Sequence, residues 1–187
     1  MTPATDTEGA LRAVRRGLAV FPLPVGGRVP APGWQQLAIR DEAALPELLA
    51  DGCNVGIGCR ASNVVALDLD THHAEGPAIN GIETFRTQLD IRGLDDWPAT
   101  FTVMTPSTGL HLYFRVPADC AIGSISGGRS PLGPGIDVRG PGRHSGGYLV
   151  GPGSIVAGLP YTVVHDAPVA PLPGWIADRL APREAGR

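Results

Sequence analysis

Two aspartates one residue apart, Asp68 and Asp70, close the apolar run Val64-Val65-Ala66-Leu67-Asp68-Leu69-Asp70. On a β-strand, residues two apart leave the same face, so both carboxylates project together while Leu67 and Leu69 pack into the core. Like charges held that close repel each other, and a strand has no structural need for them. A divalent cation removes the repulsion, because hard cations take oxygen ligands. Taken alone, the pair is equally well a strand end whose acids face water.

Asp137 is a third carboxylate, set in the apolar strand Gly135-Ile136-Asp137-Val138 and followed by Arg139. By itself it reads most simply as one half of an ion pair with a nearby arginine. In company with Asp68 and Asp70 it would complete a two-metal site of the kind that moves phosphoryl groups. His111 follows Ser107-Thr108-Gly109-Leu110 and opens a strand. A turn of small residues leaves backbone N–H groups free for an anion, and an adjacent imidazole can donate to a phosphate oxygen. A histidine at a strand start is also an ordinary surface residue, so this element decides nothing alone.

The elements that must position these groups are short. Leu11, Val14 and Leu18 recur at helical spacing, with Arg12, Arg15 and Arg16 on the other arc, which predicts a helix over Thr7–Ala19 weakened at Gly17. Val20–Leu23 reads as a strand, Pro24–Gly33 as a loop ending at Trp34, and Ala43–Leu49 as a second helix. Strands are predicted over Asn54–Gly58 and Val64–Asp70, and a helix over Ile82–Leu89. Thr100–Met104 and His111–Val116 read as a hairpin around Pro106–Gly109. Gly123–Gly135 is rich in Gly, Ser and Pro and reads as a mobile loop, followed by strands at Ile136–Arg139 and Tyr148–Val150. The chain after Ala167 reads as a Pro-rich tail carrying a last helix, Trp175–Leu180, with a frayed end. Helices lead and strands dominate the middle, so the class is α+β with a mainly antiparallel sheet.

The bulk numbers set bounds. A chain of 187 residues fits a single domain, residues 1–187, with enough length to bury a core. A net charge of −3 argues against a protein that coats nucleic acid non-specifically, though a local basic groove suffices for a transient grip on a template. Cys53, Cys59 and Cys120 form no CxxC pair, which excludes an ordinary zinc module and predicts reduced, mostly packed thiols in a cytoplasmic protein. The N-terminus has no basic stretch leading into an apolar one, and no apolar run is long enough to cross a membrane.

Six segments in one order resemble the bifunctional DNA primase/polymerase N-terminal domains of the archaeo-eukaryotic primase superfamily, found in plasmid, phage and integrated-element replication proteins. Gly17-Leu18-Ala19-Val20-Phe21-Pro22, followed by Arg28, Pro30 and Gly33-Trp34, is similar to the family's opening. Asn54-Val55-Gly56-Ile57-Gly58 leads into the acid pair, as in the family. The pair itself matches the first catalytic motif, Thr105-Pro106-Ser107-Thr108-Gly109-Leu110-His111-Leu112-Tyr113-Phe114 the second, and Ile136-Asp137-Val138-Arg139-Gly140 the third. Gly146-Gly147-Tyr148-Leu149-Val150-Gly151-Pro152-Gly153-Ser154 resembles the family's closing strand and turn. The likeness spans about residues 13–154. It departs from the family at Thr108, where a glycine is usual, and in the longer loop Pro141-Gly142-Arg143-His144-Ser145, which reads as solvated, with a nucleotide contact through Arg143 or His144 as the alternative.

The resemblance implies an RRM-like antiparallel catalytic sheet with helices, joined to a small N-terminal α/β lobe. It implies Asp68, Asp70 and Asp137 as ligands of Mg²⁺ or Mn²⁺ and as the catalytic residues, with Ser107, Gly109, His111 and Arg139 at the incoming nucleotide. For Arg139 the alternative is an ion pair with Asp137 or another acid. The implied reaction is template-directed transfer of dNTPs or NTPs onto a 3′-hydroxyl, with DNA template and primer as partners and a helicase on another domain or chain as a further one. Two rival readings share these residues: a non-catalytic nucleotide- or nucleic-acid-binding module derived from a primase core, and a metal-dependent nuclease or phosphohydrolase.

Overall fold

The computed structural model describes residues 6–72 and 79–181. The first helix, α1 (Thr7–Arg15), is capped by the Asp6 side chain, which accepts from the Glu8 N–H at 3.0 Å. It stops short of Ala19 because Gly17 takes a left-handed φ of 76°. The Leu18 N–H then reaches back to the Ala13 carbonyl and the Gly17 N–H to that of Val14, a Schellman ending that satisfies the last carbonyls. After β1 (Val20–Leu23), a 3₁₀ turn at Trp34–Leu37 and a second at Glu42–Ala44 lead into the one-turn helix α2 (Leu45–Leu48).

Strand β2 (Asn54–Gly58), the turn of helix α3 (Cys59–Ser62) and strand β3 (Val64–Leu69) follow. The strands β4 (Thr71–His72) and β5 (Ile79–Asn80) pair with each other and lead into α4 (Gly81–Asp90), whose Asn80 cap accepts from the N–H groups of Ile82 and Glu83. The expected hairpin forms from β6 (Thr102–Met104) and β7 (Leu110–Arg115). Then come β8 (Ile136–Arg139), β9 (Tyr148–Val150), the small hairpin β10 (Ile155–Val156) and β11 (Leu159–Pro160), β12 (Thr162–His165), β13 (Ala170–Pro171) and α5 (Gly174–Leu180). The frayed end expected of the tail falls on residues 182–187, outside the described residues.

Two sheets organise the chain. The main one runs β12-β6-β7-β3-β8, all antiparallel, with β13 added parallel to β7. The smaller one runs β1-β2-β9 and is antiparallel as well. The small lobe is therefore α+β rather than α/β, and it is not purely N-terminal, because β9 returns from far along the chain to complete it. The class as a whole is α+β with antiparallel sheets and few helices, as the sequence predicts.

Alternation along β3 divides the main sheet into two faces. Val65, Leu67 and Leu69 pack with Leu112, Phe114, Ile136 and Val138 against α4 and α5. Val64 and Ala66 face the other way, toward the cluster shared with Phe21, Trp34, Val55, Ile57 and Tyr113. Burying side chains of this size contributes about 1.5–3 kcal/mol each, which fixes which way β3 faces. The acids lie on the second face, beyond the point where the small lobe covers it. Gly123–Gly135 is irregular but anchored: Ile125 bridges Val138 through backbone bonds of 2.9 and 2.8 Å, and Leu132 is fully buried. Two apolar anchors in a Gly/Ser/Pro segment are too few to show as a pattern, so the loop reading did not foresee them. The three cysteines are all free thiols, and Cys59 is buried.

Candidate active site

Strand register brings three of the sequence-predicted groups to one rung. Asp68 on β3 stands opposite His111 on β7 and opposite Asp137 on β8. Directly opposed residues in an antiparallel ladder share a face, so all three side chains leave the sheet on the same side. One rung further along, Ala66 stands between Tyr113 and Arg139 on that same side. Like charges placed directly across from each other destabilise a sheet, and each acid here has a nitrogen-bearing side chain beside it. His111 Nε2 lies 3.4 Å from Asp68 Oδ1, and Arg139 Nη2 lies 3.2 Å from Asp137 Oδ2. The ion-pair alternative for Arg139 and Asp137 is thus realised. His111 is buried at 3% exposure, not a surface residue, because β7 is flanked by β3 and β6 in the middle of the sheet.

Asp70, Ser107 and Gly109 sit at the end of β3 instead. The Asp70 N–H donates to the Gly135 carbonyl and the Asp70 carbonyl accepts from the Gly81 N–H, both at 2.8 Å. Gly81 and Gly135 make this possible: a Cβ on Gly81 would overlap the Gly135 carbonyl oxygen, and Gly135 itself has a φ of 74°. The turn before β7 docks on the same strand end, where a Cβ on Gly109 would come within 2.5 Å of the Leu69 carbonyl oxygen. Thr71 donates its hydroxyl to the Ser107 carbonyl, and Ser107 Oγ is 3.1 Å from Thr105 Oγ1. The turn does not leave all its N–H groups open as expected. The Thr108 N–H is taken by the Thr105 carbonyl and the Gly109 N–H by the Thr105 hydroxyl. Thr108 stands at φ 65°, the left-handed conformation that explains why glycine is usual there.

Residues not singled out as site groups complete the surroundings. Asp68, His111 and Arg139 line an open cleft of about 580 Å³ together with Arg28, Ser124, Ser126, Tyr148 and Tyr161. Arg28 comes from the loop after β1, which buried Asn54 holds by donating its amide to the Gly27 carbonyl at 2.9 Å, while the Tyr148 hydroxyl donates to the Arg28 carbonyl. Burial pushes the Tyr161 hydroxyl above the ordinary phenol range; Arg28 opposes that shift, and Asp68 and Asp70 add to it. Both acids of the pair are therefore within electrostatic reach of one hydroxyl. Tyr113, fully buried on the same face, is pushed well above that range by burial first, with Cys59, Asp68 and Tyr161 adding. Arg28 had a signal in the sequence, the basic position of the opening motif. Tyr161 had none, since it lies past the last recognisable segment.

Carboxylate oxygens on one face are the donor set that hard divalent cations take, and the residues fit such an ion chemically. They are not gathered around one: among the described residues, no three His, Cys, Asp or Glu side chains are grouped to hold a metal. Asp68 and Asp137 face His111 and Arg139 instead.

The antiparallel sheet thus carries the opposed acids Asp68 and Asp137, with Asp68 lining an open cleft. The model of the bifunctional DNA primase/polymerase N-terminal family matches residues 10–175, and the chain belongs to that family. Its members are in general nucleotidyltransferases that use divalent metals and act on nucleotides and nucleic acid. No curated protein matches the chain. Among the described residues no helix is long and apolar enough to cross a membrane.

Proposed function

We propose that this chain is a single-domain catalytic core of a template-directed DNA primase/polymerase, adding dNTPs or NTPs to a 3′-hydroxyl in the replication of a plasmid, phage or integrated element. The observation that carries the reading is the rung on which Asp68 and Asp137 meet, beside His111 and Arg139, on the uncovered part of the main sheet. Asp68, Asp70 and Asp137 would hold Mg²⁺ or Mn²⁺. When bound, such ions would lower the pKa of the attacking hydroxyl and offset the negative charge on the leaving pyrophosphate.

The chain's own residues do the rest. Buried His111, fixed in the central strand, presents Nε2 at the acid rung and orients a phosphate there. Arg139 balances Asp137 in the free protein, and its planar fork is equally suited to a nucleotide phosphate. Ser107 and Gly109 hold the turn against the end of β3 and so set the position of Asp70 relative to the rung. Arg28 and Tyr161 line the same cleft. As in other phosphoryl transfers, positioning and charge neutralisation account for most of the catalysis.

The test is extension of a labelled primer on a DNA template with dNTPs and Mn²⁺, wild type beside Asp70→Asn. Extension by the wild type and a loss on the order of a hundredfold in the variant, with an unchanged melting curve, support the reading. Equal extension by both removes Asp70 from the site. One observation favours the second reading, a nucleotide-binding module without catalysis: each acid on the rung already has a partner within the chain, the His111 imidazole beside Asp68 and the Arg139 guanidinium beside Asp137. That reading predicts nucleotide binding by folded protein with no extension under any metal.

A further inference from the structure

We infer that the groove beside the cleft, walled by Trp34, Gln35, Arg60, Ala61, His144 and Ser145, carries the unpaired template strand as single-stranded DNA. The inference rests on the polymerase reading above for the identity of the strand, but its own evidence is separate. Groove and cleft adjoin at an aromatic contact, since Tyr148 lines the cleft, Trp34 lines the groove, and their ring centroids are 5.3 Å apart. The backbone of Gly146 and Gly147 joins them as well. A Cβ on Gly147 would stand 3.2 Å from the Arg139 Cβ, and one on Gly146 would stand 2.8 Å from the Arg60 Cβ. Arg139 in the cleft and Arg60 in the groove therefore flank the same two glycines.

The charge of the groove fits a phosphodiester. All 15 basic residues of the chain are arginine, although the net charge is −3. Arg12, Arg15, Arg16 and Arg139 are spent in ion pairs, whereas Arg60 makes none among the described residues. Arg60 donates instead to the Gly142 carbonyl at 2.9 Å, which orients the guanidinium without neutralising it. Asp119 borders a neighbouring hollow with Arg60 and forms no ion pair with it. No carboxylate lines the groove itself, so it has no donor for a metal-bound triphosphate; what it offers is a fixed cation for metal-free backbone phosphate. Trp34, stacked on Phe21 at 4.2 Å and 9% exposed, is a rigid wall against which a base can rest. At about 400 Å³ the groove is of small-ligand size, room for roughly one or two nucleotides of a single strand and not for a duplex. From the loop Pro141–Ser145, His144 and Ser145 line it.

The test is fluorescence anisotropy of a labelled 12-nucleotide oligo(dT), in EDTA and without nucleotide, over a series of salt concentrations. Arg60→Gln and His144→Ala both change exposed side chains, so both are expected to fold. Arg179→Gln, on the opposite side of the main sheet, is the control. Arg60→Gln should weaken binding by about fivefold and flatten the log–log salt dependence by about 0.7, the share of one single-strand phosphate. His144→Ala should weaken it by a smaller factor, and Arg179→Gln not at all. Wild-type affinity and salt slope in both groove variants would overturn the proposal, as would a wild type that prefers a blunt duplex. Asp70→Asn separates the two claims. Oligo(dT) binding that survives in a protein unable to extend primers leaves the groove in place whatever becomes of the polymerase reading.

Discussion

The rung of Asp68, Asp137 and His111, with Arg139 beside it, and the strand end of Asp70, Ser107 and Gly109 lie a few residues apart and are built on different principles. At the rung, side chains do the holding: two acids face each other across the ladder, one beside the His111 imidazole and the other beside the Arg139 guanidinium. At the strand end, backbone does the holding: Asp70 is bonded on both sides, and glycines let three segments approach more closely than any Cβ permits. Side-chain pairs can be exchanged for a ligand without disturbing the fold, whereas backbone contacts cannot. The molecule thus combines an adaptable half of a site with a rigid half, and substitutions should separate them.

The largest effect belongs to the rigid half. Gly81→Ala should destabilise the protein by about 3 kcal/mol or more, because the new methyl meets the Gly135 carbonyl rather than a side chain that can move. A thermal melt within a degree or two of wild type would show that the strand end gives way more easily than its packing indicates. In the adaptable half, Arg139→Ala leaves Asp137 opposite Asp68 without its guanidinium. A loss of about 1–2 kcal/mol is expected in EDTA, much of it recovered on adding Mn²⁺. The gain in melting temperature with Mn²⁺ should exceed that of the wild type; an equal gain in both proteins would separate Asp137 from metal binding.

A pH series reads the buried ground between the two halves. Burial pushes the Cys59 thiol up to about 12 from an ordinary 9.0, with Arg139 opposing. The folded value is the higher one, so the fold keeps its proton where the unfolded chain loses it. Stability is complete below pH 9 and falls by up to about 1.4 kcal/mol per pH unit as pH rises toward 12. Urea melts between pH 8 and about 10 should show the decline, and Cys59→Ala should flatten it. The smallest effect is expected at Thr108. Thr108→Gly relieves a left-handed threonine but gives up its hydroxyl contact with Thr71, for a net gain of at most about 1 kcal/mol in a denaturant melt. A loss of stability would mean that the hydroxyl contact outweighs the strain.

How much of this was legible in the sequence follows from how local each cause is. The alternation along Val64–Leu69 announced both the strand and the face of Asp68, because a period of two is a property of the strand alone. The same holds for the Arg139–Asp137 pair, which is two residues long. Burial of His111 was not legible, since it depends on β7 lying between β3 and β6. Nor was the return of β9 to the small sheet, or the meeting of Arg28 with Tyr161 from loops at opposite ends of the chain. Nor was the close approach of Gly81 and Gly135, which are far apart in the chain. The family's opening and closing segments gain a physical meaning from the same contacts: Asn54 holds the Arg28 loop, and the Ser154 hydroxyl accepts from the Val55 N–H at 2.8 Å.

The central claim is that the rung of Asp68 and Asp137 is where nucleotides are joined. Single-nucleotide incorporation on a primed template with Mn²⁺, for wild type and Asp68→Asn with melting curves alongside, tests it most directly. The account predicts templated incorporation by the wild type and a fall on the order of a hundredfold or more in the variant, with the melt preserved. Equal incorporation by two equally folded proteins would contradict it.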